Sequence, residues 1–333
     1  MKKIILLFLS LLANTFIFCG NTIYIVPFTE HDPNFEDPYG PNSDGNHAFC
    51  SLLRSFIDKG YTVKSTTTLK NLPDVAYIIC FNMPTHSPSM MHDLESYPKS
   101  MCWVSLWEPP VVIPQYYYPK NLAKFGKVFT LFDDMVDGTT FYKFHYPQGN
   151  LTMINPVVDF NNKKLCTTVI GNKSSNHPDE LYSERRKLLN FFEEINEDQF
   201  EFYGGNWPSH YYKRYKGSTP SKIDTIKNYK FCICYENMRN QRGYITEKIF
   251  DAMLAGTIPI YWGATNITDY IPADCFVSRE NFANNQELYL FMKNMPEDTY
   301  NSYINRIRDF LSSDKAYLFS KKNFRDTFLR ELK

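Results

Sequence analysis

Short apolar runs alternate with amphipathic stretches along most of this chain, and the alternation occurs twice. Residues 23–28, 74–81 and 101–106 read as buried strands. Residues 46–59 read as a helix with Phe49, Leu52, Leu53 and Phe56 on one face, closed by Gly60. The pattern restarts near residue 164. Residues 165–170, 200–203, 230–235 and 257–262 read as strands, and 180–194 and 247–255 as helices. Leu181, Leu188, Leu189 and Phe192 are the candidate buried positions of the first of these helices. Strands separated by helices predict parallel sheets covered on both faces. A chain of 333 residues suits two such domains. The predicted join is a polar stretch at 155–164, giving domains over 21–160 and 161–333. The tail over 298–333 reads as amphipathic helix. Two facing α/β domains make a cleft at the carboxyl ends of their strands, where such folds bind ligands.

The amino-terminal 20 residues read as a targeting segment, not as fold. Lys2 and Lys3 precede an apolar stretch over 4–18, short for the ~20 residues of a bilayer span. A signal peptide is the first reading and a weak membrane anchor the second. Lysine plus arginine and aspartate plus glutamate both number 36. A net charge of zero argues against nucleic acid as main partner, because phosphate-backbone binding draws on a basic excess. The eight cysteines form no CxxC pair, so neither zinc nor thioredoxin chemistry is expected. Sequons at Asn150, Asn172 and Asn266 have meaning only in a glycosylating lumen.

The richest window runs from 229 to 263: strand, polar loop, helix, strand. Thr246 suits the N-cap and Gly256 the C′ position of its helix. Lys248 falls in the first turn, where the helix dipole disfavours a cation. Arg239 and Arg242 lie in the loop before it. Three cations around free amides make an anion site fit for a pyrophosphate. The competing reading is a solvated loop whose arginines pair with Glu236 or Glu247.

Within this window, Tyr235-Glu236-Asn237, then Tyr244-Ile245-Thr246-Glu247-Lys248, then Ala255-Gly256-Thr257-Ile258-Pro259-Ile260-Tyr261-Trp262-Gly263 strongly resemble the signature of glycosyltransferase family 10, the α-1,3/4-fucosyltransferases. The resemblance is dense over about 35 residues and weaker from about 100 to 285. It implies a GT-B fold of two Rossmann-like domains, with GDP-fucose bound by the carboxyl-terminal domain and a glycan acceptor of GlcNAc or Glc type held by the amino-terminal one. It implies no obligatory metal, a divalent ion being at most stimulatory; with the targeting segment, a GDP-fucose donor points to a secretory, Golgi-like lumen. Lys248 would bind the donor phosphates. Glu247 and Tyr244 would contact the nucleotide or the fucose, and Asn237 and Glu236 would shape the pocket. Arg214, with Lys213 and Lys216 as rivals, is the candidate for a further phosphate-binding residue. Arg242 is placed on the donor side with it. The loop between Asn237 and Tyr244 is one residue longer than the family pattern.

An inverting transfer needs a base for the acceptor hydroxyl, and a carboxylate among apolar neighbours is a stronger base than one in water. Glu108 follows an apolar strand and adjoins Trp107 and Pro109-Pro110. By itself it also reads as an exposed turn. The family carries its base glutamate at the corresponding strand end, often before Ser-Pro, so the match is partial. A sibling transferase using another GDP-sugar, and an inactive glycan-binding relative, are the alternative functions. Asp133, Asp134 and Asp137 suggest either a metal cluster or, more simply, a capped turn ending in Gly138. His145 and His210 read as structural.

Overall fold

The computed structural model describes residues 20–28 and 48–332. The targeting segment over 1–19 lies outside the described residues. The first sheet holds β1 (Thr22–Val26), β2 (Thr62–Ser65), β3 (Val75–Cys80), β4 (Cys102–Leu106), β5 (Lys127–Thr130) and β6 (Phe141–Lys143) in the order β2-β1-β3-β4-β5-β6. Every pairing in it is parallel. The helices of this half are α1 (Ala48–Asp58), α2 (Pro88–Asp93) and α3 (Pro119–Leu122).

The second half adds α4 (Tyr182–Glu194), α5 (Lys222–Ile226) and α6 (Glu247–Leu254) around five parallel strands. These are β7 (Lys164–Val169), β8 (Phe200–Tyr203), β9 (Tyr229–Tyr235), β10 (Ile258–Trp262) and β11 (Val277–Ser278), in the order β11-β10-β9-β7-β8. Then come α7 (Ile267–Tyr270), α8 (Asn285–Lys293), α9 (Glu297–Leu311), α10 (Asp314–Tyr317) and α11 (Lys321–Leu329). The expected strands are all present. The edge strands β2, β6 and β11 and the interior strand β5 escape a sequence reading because they are short, and β2 and β6 have no fully buried residue.

Both sheets follow the flavodoxin-like order, in which the second strand lies outside the first and the third inside it. Each therefore has a crevice where the strand order reverses, between β1 and β3 in one and β7 and β9 in the other. Buried side chains fill both faces of the first sheet and form one core around the second. The final helix departs from the expected division at 160. α11 leaves the second domain and docks on the first, placing Phe324 and Phe328 in a core with Phe56, Phe81, Trp107 and Phe129. The rings of Phe129 and Phe328 stack with centroids 4.0 Å apart. Among the described residues no helix is long and apolar enough to cross a membrane.

Candidate active site

The two crevices face one another across a cavity of about 710 Å³. From the first domain, Phe28 follows β1, Asn82 follows β3, and Trp107 and Glu108 follow β4, all at carboxyl ends of strands. From the second, Ile170 and Gly171 follow β7, Gly204 follows β8, and Asn237 follows β9. Gly204 is required there. Its φ is +130°, and a Cβ would stand 2.0 Å from the carbonyl oxygen of Ile170.

The cavity is chemically divided. Its first-domain wall is aromatic, built from Phe28, Phe49, Trp107 and Tyr146, with Glu108 as its carboxylate. Trp107 is wedged among Phe28, Phe49, Phe144 and Tyr146 at centroid distances of 4.7–5.6 Å. Its indole donates to Ser105 Oγ at 2.9 Å, which fixes the strand end that presents Glu108. The Glu108 backbone carbonyl accepts from Tyr117 Oη at 3.0 Å. Its carboxylate makes no hydrogen bond or ion pair among the described residues, so it is free to meet a ligand.

The opposite wall carries the cations Lys173, Arg185, Lys222 and Lys248. Lys248 Nζ lies 3.1 Å from Glu236 Oε2 and 2.9 Å from Thr246 Oγ1. Burial works against the ammonium, but the charges of Glu236 and Glu247 outweigh it and raise its pKa. Glu247 is desolvated too, yet Lys248 and Lys222 hold its carboxyl at about 2. Glu236 has no exposed side-chain surface. It accepts from the Thr246 amide and hydroxyl, each at 2.8 Å, and from Lys248. Thr246 does occupy the N-cap of α6, but its hydroxyl turns back to Glu236 and makes no capping hydrogen bond. The first-turn amides of α6 are thus left uncapped by that side chain, beside Lys248, as an anion site needs.

Of the predicted donor-side residues, Asn237, Tyr244, Glu247 and Lys248 line the cavity. Glu236 stands behind them as the support just described. Arg242 and Arg214 do not belong to it, which corrects the sequence expectation. Arg242 points away and pairs with Asp134 at 3.4 Å and Asp269 at 3.7 Å. Arg239 is drawn onto the ring of Trp262, 5.4 Å from its centroid. Arg214 follows the cavity-lining Gly204 by ten residues of loop and bonds Asn196 Oδ1 at 2.8 Å on the outside.

Sequence reasoning missed three cations of this wall, Lys173, Arg185 and Lys222, and the buried one is Arg185, on α4. It is 4 % exposed and has no carboxylate partner among the described residues. Its Nη2 donates to the Tyr235 carbonyl at 2.6 Å and to Asn237 Oδ1 at 3.1 Å, while Nε is buried without a partner among the described residues. Desolvation lowers its pKa and outweighs the opposing charges of Glu236 and Glu247. A buried guanidinium without a direct ion pair among the described residues, in a ligand cavity, fits an anion. The signal was in the helix period, because Leu181, Arg185, Leu188 and Phe192 share one face.

Asp137 is the expected turn cap, accepting the amides of Thr139, Thr140 and Phe141 at 2.7–2.8 Å. Asp133 caps no turn and is instead engaged by Lys143, Asn266 and Tyr270; among the described residues no three His, Cys, Asp or Glu side chains converge. His145 is structural, between the rings of Tyr270 and Phe319.

With this geometry in place, comparison with known proteins is decisive. The family model described as glycosyltransferase family 10 (fucosyltransferase) C-term matches residues 160–324. The chain belongs to glycosyltransferase family 10. Mouse 4-galactosyl-N-acetylglucosaminide 3-alpha-L-fucosyltransferase 9 is 39% identical over 92 residues, which cover 26% of this chain and 25% of that protein. An alpha-(1,4)-fucosyltransferase of Arabidopsis thaliana is 35% identical over 80 residues, 23% of this chain and 20% of its own. The alignments thus span a quarter or less of the curated relatives. The fold match is far broader. The solved structure of an alpha1,3-fucosyltransferase superposes with a TM-score of 0.57 at 16% identity, covering 93% of this chain and 89% of that one. The same enzyme class with GDP-fucose gives 0.56 at 15%, covering 94% and 90%. A DNA-modifying beta-glucosyltransferase gives 0.55 at 13%, covering 93% and 99%. The family 10 chain has the GT-B fold that these neighbours share.

Proposed function

We propose that this family 10 protein transfers fucose from GDP-fucose to a hydroxyl of a glycan, with inversion at the sugar carbon and Glu108 as general base. The observation that carries the reading is the division of the cavity, with its cations on one domain and a free carboxylate in an aromatic wall on the other. The diphosphate is held by Lys248, the first turn of α6 and Arg185. Glu247, Tyr244 and Asn237 line the donor side around it. The acceptor sugar lies against Trp107 and its aromatic neighbours, whose faces suit the C–H face of a pyranose.

Glu108 takes the proton of the acceptor hydroxyl as the oxygen attacks fucose C1. The C1–oxygen bond to the β-phosphate breaks, and GDP leaves with the electron pair. The cations meet the charge that grows on the leaving oxygen, and they are already in place before it forms. The donor name rests on the family and on the relatives' names, as does a linkage to position 3 or 4 of the acceptor sugar. A lumen supplied with GDP-fucose is the setting in which the reaction fits an amino-terminal secretion signal.

The test is calorimetric titration of the protein with GDP, GDP-fucose and GDP-mannose, followed by donor turnover. Micromolar binding of GDP and selective consumption of GDP-fucose support the reading. Consumption of GDP-mannose instead assigns the protein to a sibling activity. Binding without turnover of either donor assigns it to the inactive, glycan-binding class.

A further inference from the structure

Asp133 stands at the centre of a closed ring of hydrogen bonds that joins the two domains. Its Oδ1 meets Lys143 Nζ at 2.7 Å, and its Oδ2 accepts from Asn266 Nδ2 at 2.9 Å. Asn266 Oδ1 accepts the Gly243 amide at 2.8 Å. The Gly243 carbonyl accepts from Lys143 Nζ at 3.1 Å, which closes the ring. Tyr270 Oη adds a bond to Asp133 at 2.8 Å, and the Asp133 amide donates to the Arg242 carbonyl at 3.1 Å. Asp133 and Lys143 belong to the first domain, and Arg242, Gly243, Asn266 and Tyr270 to the second. The third sequon residue, Asn266, is thus 7 % exposed and engaged through both amide atoms.

Position 243 is shaped for this contact. Gly243 has φ +75°, and a Cβ there would stand 2.2 Å from Asp133 Oδ1 and 2.4 Å from Lys143 Nζ. Only glycine lets the loop settle into the ring. The next residue is Tyr244, which lines the donor side of the cavity. Its ring meets Phe132 edge-on at 5.7 Å, Phe132 stacks on Tyr117 at 5.3 Å, and Tyr117 holds the Glu108 carbonyl. A contiguous packed path therefore runs from the ring to the candidate base.

We propose that Asp133 is a positioning residue for the transfer: it seats the 242–244 loop of the donor domain on the acceptor domain and so sets how Tyr244 and the donor stand relative to Glu108. The inference rests on the fucosyl-transfer reading above. Asp133 touches no substrate. The diphosphate cations Lys248 and Arg185 both lie within the donor domain, so they do not depend on the ring. Loss of the ring should spare GDP binding and impair reaction.

The test uses Asp133→Asn, which removes the charge opposite Lys143, and the milder Tyr270→Phe. GDP affinity, GDP-fucose turnover well below the melting temperature, and hydrogen exchange at the Gly243 amide are measured for each. The expected result for Asp133→Asn is GDP affinity within twofold of wild type, turnover lower by tenfold or more, and faster exchange at Gly243. Tyr270→Phe should move turnover and exchange in the same direction by a smaller factor. A purely structural role would lower the melting temperature and leave turnover of the folded protein unchanged. Unchanged turnover in folded Asp133→Asn overturns the proposal. Should that variant not fold, unchanged turnover in Tyr270→Phe overturns it instead. If wild type neither binds GDP nor consumes GDP-fucose, it is the fucosyl-transfer reading that fails, and unchanged Gly243 exchange in the variants overturns the ring separately.

Discussion

The ring of Phe324, on the last helix, lies 5.6 Å from that of Trp107, the residue immediately before the candidate base. A side chain near the end of the chain thus supports the wall that presents Glu108. Phe324→Ala removes a buried ring from a packed core and should cost about 3–5 kcal/mol of stability. Turnover should fall by more than the unfolded fraction explains, because Trp107 loses one of its supports. Denaturant melts read together with turnover at a temperature where the variant is folded check this, and unimpaired turnover there would separate α11 from the active site.

Glu108→Gln keeps the shape of the side chain and removes the candidate base. Since the carboxylate has no partner among the described residues, the melting temperature should move little. Turnover should drop by about 10²–10⁴-fold, the range for loss of a general base. GDP affinity should hold. Retained turnover would send the search for the base elsewhere in the cavity.

Arg185 and Arg214 make opposite predictions. Arg185→Ala removes the proposed charge-assisted contact to the diphosphate, and GDP should bind about 10- to 100-fold more weakly. Arg214→Ala should leave GDP affinity within twofold, because that side chain is spent on Asn196 outside the cavity. Equal losses in the two variants would contradict the placement of the donor.

Glu236→Gln leaves the largely buried Lys248 without its nearest carboxylate. The unliganded protein should lose about 3–5 kcal/mol. GDP brings its own negative charge to Lys248, so the thermal shift on adding GDP should be larger in the variant than in wild type. An equal shift would mean that Lys248 does not face the diphosphate.

Lys163 gives a pH signature apart from the active site. It is 5 % exposed, and burial pulls its pKa down to about 7. In the unfolded chain the group returns to about 10.4. Between those values the unfolded state binds more protons, so stability rises with pH over that window. Below it the cost of the buried charge is fully present. Lys163→Met should flatten the rise without unfolding the protein. The carbonyls that Lys163 contacts keep other donors, Tyr300 Oη on Gly256 and Thr257 Oγ1 on Tyr229. Melting temperature against pH for the two proteins checks it.

The sequence disclosed most of this where chemistry and local period coincide. Glu108 stands at the end of an apolar strand, and Tyr244 to Lys248 run from a loop into a helix cap, so their shared edge could be anticipated. Arg185 was hidden beside Arg186 in a run that reads as helix surface, although its period places it with Leu181 and Leu188. Lys222 followed a good N-cap, Ser221, but nothing local says that α5 opens onto the cavity. Arg239 and Arg242 show the converse. Both sit beside the helix terminus in sequence, yet Trp262 and the acids Asp134 and Asp269 draw them away. The crossing of α11 was not legible at all, because an amphipathic pattern tells which face is buried and not which sheet buries it.

That crossing reverses the order in which a chain made from its amino terminus can complete its domains. β7 to β11 and the helices around them can bury their core once residue 319 has been made. The first domain, although synthesised earlier, still lacks Phe324 and Phe328 at that stage and exposes the aromatic face over Phe81, Trp107 and Phe129. Domains fold as units when their cores are complete. The second domain therefore has its core residues in hand first, and the first domain, with Glu108, is sealed last.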